Sequence, residues 1–465
     1  MTSPHDRLAD AIEAWRRDEA RARCERWVGE PDASSEADIQ RTHARLRSRQ
    51  AQDLLAEIRE RAEIESSRLD ALERGLAEAI AAPARTRQRE KERALAEARR
   101  PYDSDHYPAS ELVARLERDP RPLHRAAMAA ALDGFWRDVA ERRAEHAEEA
   151  PLEAASSTEL ERARNVIEDT HGVWNELSAR AAHAERVELA HWSDLAFVAR
   201  AARWDDAAKP NERWRRASTM LAELAFIEAL GRAARVLPRR PGPLERGCGV
   251  AIVEPARAIR IGPGLERGLA SERAALIALG RTSVAALAHP GLPPELARPA
   301  PDGIAGTIGA LCAHVSADLR VSARYDGMTT RERRELSERT RLLELWELRT
   351  AAAVLTIRAE RDVRGRREAA RSILTAAFGC EVDDGLAGAL SWSFGALDRF
   401  RSGVAAVDLF AAFRERFDED FWRNPRAAEL ILHAAERGAA LSQDAWLKEI
   451  AAGPTPIAER LAEGL

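Results

Sequence analysis

Along most of the chain apolar residues recur every three or four positions, the spacing that gathers them on one face of an α-helix. Leu8, Ile12, Trp15 and Trp27 follow it up to a break at Gly29-Glu30-Pro31, and Ser34-Ser35 with Asp38 offers a fresh start from which a long helix is predicted. Leu55, Ile58, Ala62, Leu69, Leu72 and Leu76 then form a short heptad seam, with Glu65 where an apolar residue belongs. A helical hairpin packed on its own chain is favoured there over a dimerising coiled coil. The run from Ala84 to Lys91 reads as a solvated helix face.

Pro101 to Pro108 reads as a loop, and Pro120 to Pro122 as another breaker. A helix is predicted over Leu123 to Ala147, with Met128, Leu132, Phe135, Trp136 and Val139 buried. Another is predicted over Asn211 to Val236, with Trp214, Ala217, Leu221, Leu224 and Ile227 along one face. Thr329-Thr330 with Glu332 starts a long one whose buried face carries Leu336, Leu343, Trp346, Thr350, Val354 and Ile357, ending near Arg364-Gly365. The one convincing β signal is Val250 to Val253, a Glu254-Pro255 turn, then Ala258 to Ile261, which predicts a small hairpin.

One stretch, Ser271 to Val315, organises the rest. It holds two apolar helical runs, joined by a Pro-rich connector. Leu276, Leu279, Ser283, Ala286 and Leu287 mark the first run, which Pro290 ends; Ile304, Ile308, Leu311 and Val315 mark the second, with Ala, Gly and Cys between them. Both are predicted to lie in the interior, the second packing closely on its neighbours.

Composition narrows the class. Apolar residues make up 45% and charged residues 32% of 465, which suits long amphipathic helices and a sizeable core. With 72 basic and 77 acidic residues the net charge is −5, so no global field draws the chain onto nucleic acid or an anionic membrane. Cys24, Cys248, Cys312 and Cys380 form no C-x-x-C pair, which suits a reduced cytoplasm. The first residues show no signal-peptide pattern, and no uncharged stretch is long enough to span a bilayer, so a soluble cytoplasmic protein is expected.

The stretch resembles the active-site region of the oligoendopeptidase F and thimet oligopeptidase family and its angiotensin-converting-enzyme-like relatives. There a buried helix carries His-Glu-x-x-His, a loop follows, and a second helix donates a Glu. Two His at i and i+4 share a helix face and reach one Zn²⁺, and the Glu activates the zinc-bound water. By flanking residues the family's first His falls on Arg281, its general-base Glu on Thr282, its second His on Ala285 and the later Glu on Gly306. None of these side chains suits that chemistry. Arg349 and Glu360 stand where the family has an Arg and a Phe-Glu pair, but the Phe position is Ala359. The family's oxyanion-stabilising Tyr or His region corresponds to Gly385–Gly403, which holds Ser391, Trp392, Ser393 and Phe394. The closing pattern is retained: Leu409 to Phe417, Phe421-Trp422-Arg423-Asn424-Pro425, the Gly438 break, Trp446-Leu447 and Gly453-Pro454-Thr455-Pro456.

The resemblance implies a mainly α, cleft-containing, zincin-like oligopeptidase fold. A helical region over residues 1–245 precedes a degenerate peptidase-like region over 246–465, with a small hairpin before the former zinc helix. It implies a catalytically silent peptidase-like protein with no catalytic residue, metal or cofactor. The expected partner is a peptide or protein held in the former cleft, with the hairpin edge as one route. No nucleic acid or membrane partner is expected.

Two alternatives stand beside it. An active hydrolase with a relocated site would draw on His289, Cys312 and His314, although Cys312 and His314 diverge by about 200° on a helix. An α-helical coiled-coil adaptor explains the N-terminal half alone. His183 and His191 are too far apart on a helix to share a metal unaided; Asp194, three after His191, makes metal binding there a lesser reading.

Overall fold

The computed structural model describes residues 3–30, 35–61, 64–149, 155–205, 217, 219–224, 226–238, 247–264, 268–300, 303–322, 328–360, 363–454 and 456–462. The protein is mainly α with a few short strands, as the sequence predicts.

The first helix, α1, runs from Pro4 to Val28; the Ser3 side chain caps its start and it ends at Gly29. Ser35 and Asp38 do form a reciprocal capping box, but the helix they start is short, Glu36–Thr42. The heptad seam is not one helix. Arg49–Arg61 gives way to a new helix, α2 (Ser66–Glu97), with Glu65 at its N-cap; Ala62 lies outside the described residues. The charged residue that spoils the seam is thus the point where the helix restarts.

The Pro101–Pro108 segment is not a plain loop. Strands β1 (Arg99–Tyr102) and β2 (Asp105–Pro108) pair antiparallel around a turn in which Asp103 adopts φ 58°. Helix α3 (Pro122–Glu149) follows, burying Met128, Leu132, Phe135 and Val139 as predicted.

The helix predicted over Asn211 to Val236 lies partly outside the described residues. Its later part is interrupted: a helix over Ile227–Ala233 gives way to strand β3 (Ala234–Val236). The predicted hairpin is present as β4 (Gly249–Glu254) and β5 (Ala258–Gly262), and β3 adds to it in parallel, giving the order β3-β5-β4. The outer edge of β4 is covered. Ala20 and Trp27 of α1 pack on Ala251, Arg23 Nη1 donates to the Val250 carbonyl at 3.4 Å, and Arg298 Nη1 donates to that of Ile252. Helix α1 thus lies along this edge of the hairpin, while β3 pairs along the other.

Helices α4 (Gly268–Leu287) and α5 (Ile304–Val315) follow; α6 (Thr330–Arg358) is long and stops before the predicted Arg364-Gly365 boundary; α7 (Ala396–Phe417) precedes the closing elements. The retained closing pattern folds as read. Phe421–Arg423 makes one 3₁₀ turn, the Asn424 side chain caps Pro425–Glu436, and Gln443–Glu449 follows Gly438. Thr455 lies outside the described residues.

Two large cores result. One joins α3 and the helices up to Arg200 to α6, whose Ala351, Ala352, Ala353, Val354 and Leu355 are all buried. The other joins the β3-β5-β4 sheet, α4, α5 and the closing helices. Helix α7 serves both, giving Phe400, Val404 and Val407 to the first and Leu409, Phe410 and Phe413 to the second. Residues before and after 245 therefore share a core, and the seam between the two cores passes beside α7.

Candidate functional site

Helices α4 and α5 cross at two glycines. A Cβ placed on Gly280 would lie 2.8 Å from Gly309 Cα and 3.0 Å from the Ile308 carbonyl; one on Gly309 would lie 2.7 Å from the Ile277 carbonyl. Real Cβ atoms do not come that close to backbone, so side-chain-free positions are required here. This contact fixes which face of each helix meets the seam between the cores. On α4 that face carries Arg273, Ile277 and Arg281, one turn apart; on α5 it carries Gly306 and Ala310. With Glu344, Glu347 and Leu348 of α6 and Asp398, Arg399, Ser402 and Val407 of α7, they line a cavity of about 270 Å³. Glu347, Gly395 and Arg399 are exposed and mark its mouth.

Of the four positions singled out from sequence, Arg281 and Gly306 stand in this wall. Thr282 and Ala285 do not. Thr282 is fully buried, its hydroxyl donating to the Ala278 carbonyl at 2.6 Å, and Ala285 is fully buried with its carbonyl accepting from Ala256 N in the hairpin turn at 2.8 Å. The i, i+4 pair facing the cavity opposite Gly306 is Ile277 and Arg281.

The polar wall comes mostly from α6 and α7. Buried Glu344 accepts from His314 Nδ1, 2.9 Å from either carboxylate oxygen, and the His314 ring meets Phe410 edge to face at 4.5 Å. Arg273 Nε donates to Glu347 at 2.9 Å, and its Nη2 lies 3.7 Å from Glu344. Burial alone would raise the Glu344 carboxyl, yet His314 and Arg273 hold it below its ordinary value. Burial likewise opposes the charge on Arg273, but Glu347 and Glu344 outweigh it and raise its pKa. Arg281 is driven the other way, because burial exceeds the help that Asp398 gives.

Three polar atoms in this wall are buried without a hydrogen-bond partner: Arg273 Nη1, Arg281 Nε and Ser402 Oγ. Each can donate. No carboxylate oxygen of the cavity is in that condition among the described residues.

The remaining candidates do not converge. Cys312 is fully buried, which pushes its thiol up to about 12, far from a usable nucleophile. His289 is exposed and accepts from Gly291 N within its own turn at 3.0 Å. His183 is exposed, while His191 caps the Trp192–Arg200 helix and pairs with Asp383 at 3.1 Å. Asp194 closes that cap and takes a buried bond from Arg125 at 2.6 Å, so its spacing from His191 reflects capping. Among the described residues, no three or more His, Cys, Asp or Glu side chains are grouped to hold a metal ion.

Sequence reasoning missed the α7 contribution. Asp398 and Ser402, an i, i+4 pair with a small Gly403 beside it, are the available signal; of Ser391 to Phe394, Ser393 accepts from Arg399 at 3.2 Å and none lines the cavity.

Neither a protein-family model nor a curated protein matches the sequence. Solved structures do. A carboxypeptidase from Pyrococcus furiosus is 12% identical with a TM-score of 0.62, covering 99% of this chain and 98% of its own. The M32 carboxypeptidase from Deinococcus radiodurans R1 is 11% identical with a TM-score of 0.53, covering 99% and 100%. A putative oligoendopeptidase F from Bacillus anthracis str. Ames is 12% identical with a TM-score of 0.55, covering 98% and 82%. This chain has a zincin-like peptidase fold. The likeness runs through the N-terminal half as well as the α4–α5 region, and the cavity lies within the part compared.

A divalent metal, which such peptidases imply, does not fit the residues present. Ile277, Gly306 and Ala310 offer no donor, and Arg281 brings positive charge; Glu344 and Glu347 are held by His314 and Arg273. No helix among the described residues is long and apolar enough to cross a membrane.

Proposed function

We propose that this protein is a catalytically silent relative of the peptidases whose fold it shares, a binding protein that takes a peptide or protein partner through the former cleft in the cytoplasm. The observation that carries this reading is the composition of the cavity wall: where α4 and α5 cross, the cavity presents Ile277, Arg281, Gly306 and Ala310. A metal-activated water needs imidazole or carboxylate ligands with an open position, and a guanidinium at the ligand face repels the cation. The degenerate motif read from the sequence and the burial of Cys312, which pushes its thiol up to about 12, both support this reading. The adaptor reading is not favoured, because the heptad seam restarts at Glu65 and does not form a continuous coil.

Zinc content and turnover test it together. The dialysed protein is expected to hold no stoichiometric zinc and to leave quenched-fluorescent peptides intact. A variant with Ile277→His, Arg281→His and Gly306→Glu places its new ligands on the cavity face and is expected to acquire zinc. One with Arg281→His, Ala285→His and Gly306→Glu aims one of them into the core and is expected not to. Peptide hydrolysis by the unmodified protein that a chelator abolishes would overturn the reading.

A further inference from the structure

We infer that the α4–α7 cavity is an anion site, recognising a small carboxylate or phosphate group at the place where a peptidase of this fold would hold its metal cation. The inference rests on the reading of this cavity as the protein's binding site. Its warrant is a surplus of donors. Arg273, Arg281 and Arg399 bring three guanidinium groups to the cavity, and Glu344, Glu347 and Asp398 bring three carboxylates. The carboxylates are occupied, Glu344 by His314 and Glu347 by Arg273, and Asp398 is not free either; Arg399 donates to the Phe394 carbonyl at 3.0 Å and to Ser393 Oγ at 3.2 Å. The donors are not used up. Arg273 is 6% exposed and Ser402 is 2% exposed, yet Arg273 Nη1 and Ser402 Oγ have no partner, nor has Arg281 Nε.

Leaving buried donors unpaired costs about 1–3 kcal/mol each, and an acceptor brought into the cavity would recover that cost for three of them at once. A carboxylate or phosphate brings oxygens that accept several hydrogen bonds at once, and arginine offers a rigid fork of donors that stays charged at any ordinary pH. The apolar remainder of the wall, Ile277, Ala310, Leu348 and Val407, suits a short hydrocarbon stem behind the anionic head. At about 270 Å³ the cavity stands near the lower end of the range for small-molecule sites, about 300–1,000 Å³, so one such group with a short stem fills it. A second cavity of about 870 Å³ lies on the other side of α7. It is larger, but two of the arginines lining it are paired, Arg401 with Glu159 at 2.5 Å and Arg162 with Asp408 at 2.7 Å.

The experiment is titration calorimetry on the full chain in a buffer free of other oxyanions, with three probes: N-acetyl-leucine, its uncharged amide N-acetyl-leucinamide, and inorganic phosphate. N-acetyl-leucine is expected to bind and the amide is expected not to. Phosphate binding alone would assign the site to phosphate, and N-acetyl-leucine binding alone would assign it to a carboxylate with an apolar stem; each supports an anion site. Arg281→Gln is expected to weaken binding by about ten- to a hundredfold, the size of one lost charge-assisted contact, with Arg281→Lys recovering part of it. Equal binding of acid and amide, binding indifferent to Arg281→Gln, or no heat from any probe overturns the inference. The acid-against-amide comparison uses the unmodified protein, so a variant that fails to fold does not blunt the test. Failure here leaves the silent reading to its own zinc and turnover measurement, and chelator-sensitive hydrolysis sinks that reading without touching the calorimetry.

Discussion

Two sets of buried arginines in this molecule are built to opposite standards. Around the first core, Arg349 is fully buried without a carboxylate beside it, yet it donates to the carbonyls of Ala377, Ile167 and Ala376 at 2.6, 2.7 and 3.2 Å and to Thr170 Oγ1 at 2.7 Å. Arg125 is likewise sealed, with Asp194 and the Asp119 carbonyl as acceptors. Arg281, half-buried in the cavity wall, has an Nε with no acceptor. The difference separates arginines that hold helices together from one that the proposed anion site would use. Arg349 and Arg125 have every nitrogen engaged within the fold; Arg281 does not.

Four measurements bear on that contrast. Arg125→Met is expected to do the most harm, about 3–5 kcal/mol in urea unfolding, because it strands the Asp194 carboxylate in the core. A loss under 1 kcal/mol would erase the distinction. Gly309→Ala is expected to cost about 1–3 kcal/mol, since the new methyl meets the Ile277 backbone and must push α4 and α5 apart; a neutral result would mean the crossing does not set the cavity face.

Glu344 yields a smaller effect with a definite sign. Its folded-state pKa is below its ordinary 4.5, so the stability it contributes is present above that value and lost as pH falls through the lower, folded one. The stability gap between the unmodified protein and Glu344→Gln is therefore expected to narrow below about pH 4.5. A gap that stays constant down that range would remove Glu344 from the charged wall. The smallest change is expected for Arg281→Met, within about 1 kcal/mol of the unmodified protein and favourable if anything, because it removes a buried donor that nothing satisfies. A loss above 2 kcal/mol would place Arg281 with the structural arginines.

The helical architecture was legible because its signals are local. The α4 and α5 periodicity, the Glu254-Pro255 turn and the Asn424-Pro425 cap each act within a few residues. The third strand was not, since Ala234 to Val236 pairs with β5 only because the chain returns there. The site was half legible. Arg281 and Gly306 came from the order of the motifs, but the phase of α4 is set by its contact with Gly309, about a turn and a half of helix from Ala285, and flanking residues that serve packing do not report it. The polar wall was least legible, since Glu344 and Ser402 reach the cavity from helices remote in sequence.

The covering of β4 by α1 has a bearing on how the chain is made. Synthesis proceeds at about 5–20 residues per second, so the α1 segment leaves the ribosome roughly 10–45 s before Gly249 does. A bare strand edge invites pairing with any neighbouring nascent chain. Here the segment that will shield it, with Arg23 ready for the Val250 carbonyl, is available from the moment the strand appears. Chains that lose their first turns to a protease before that moment would be born with an adhesive edge, and their fate would be decided by aggregation before the cavity ever formed.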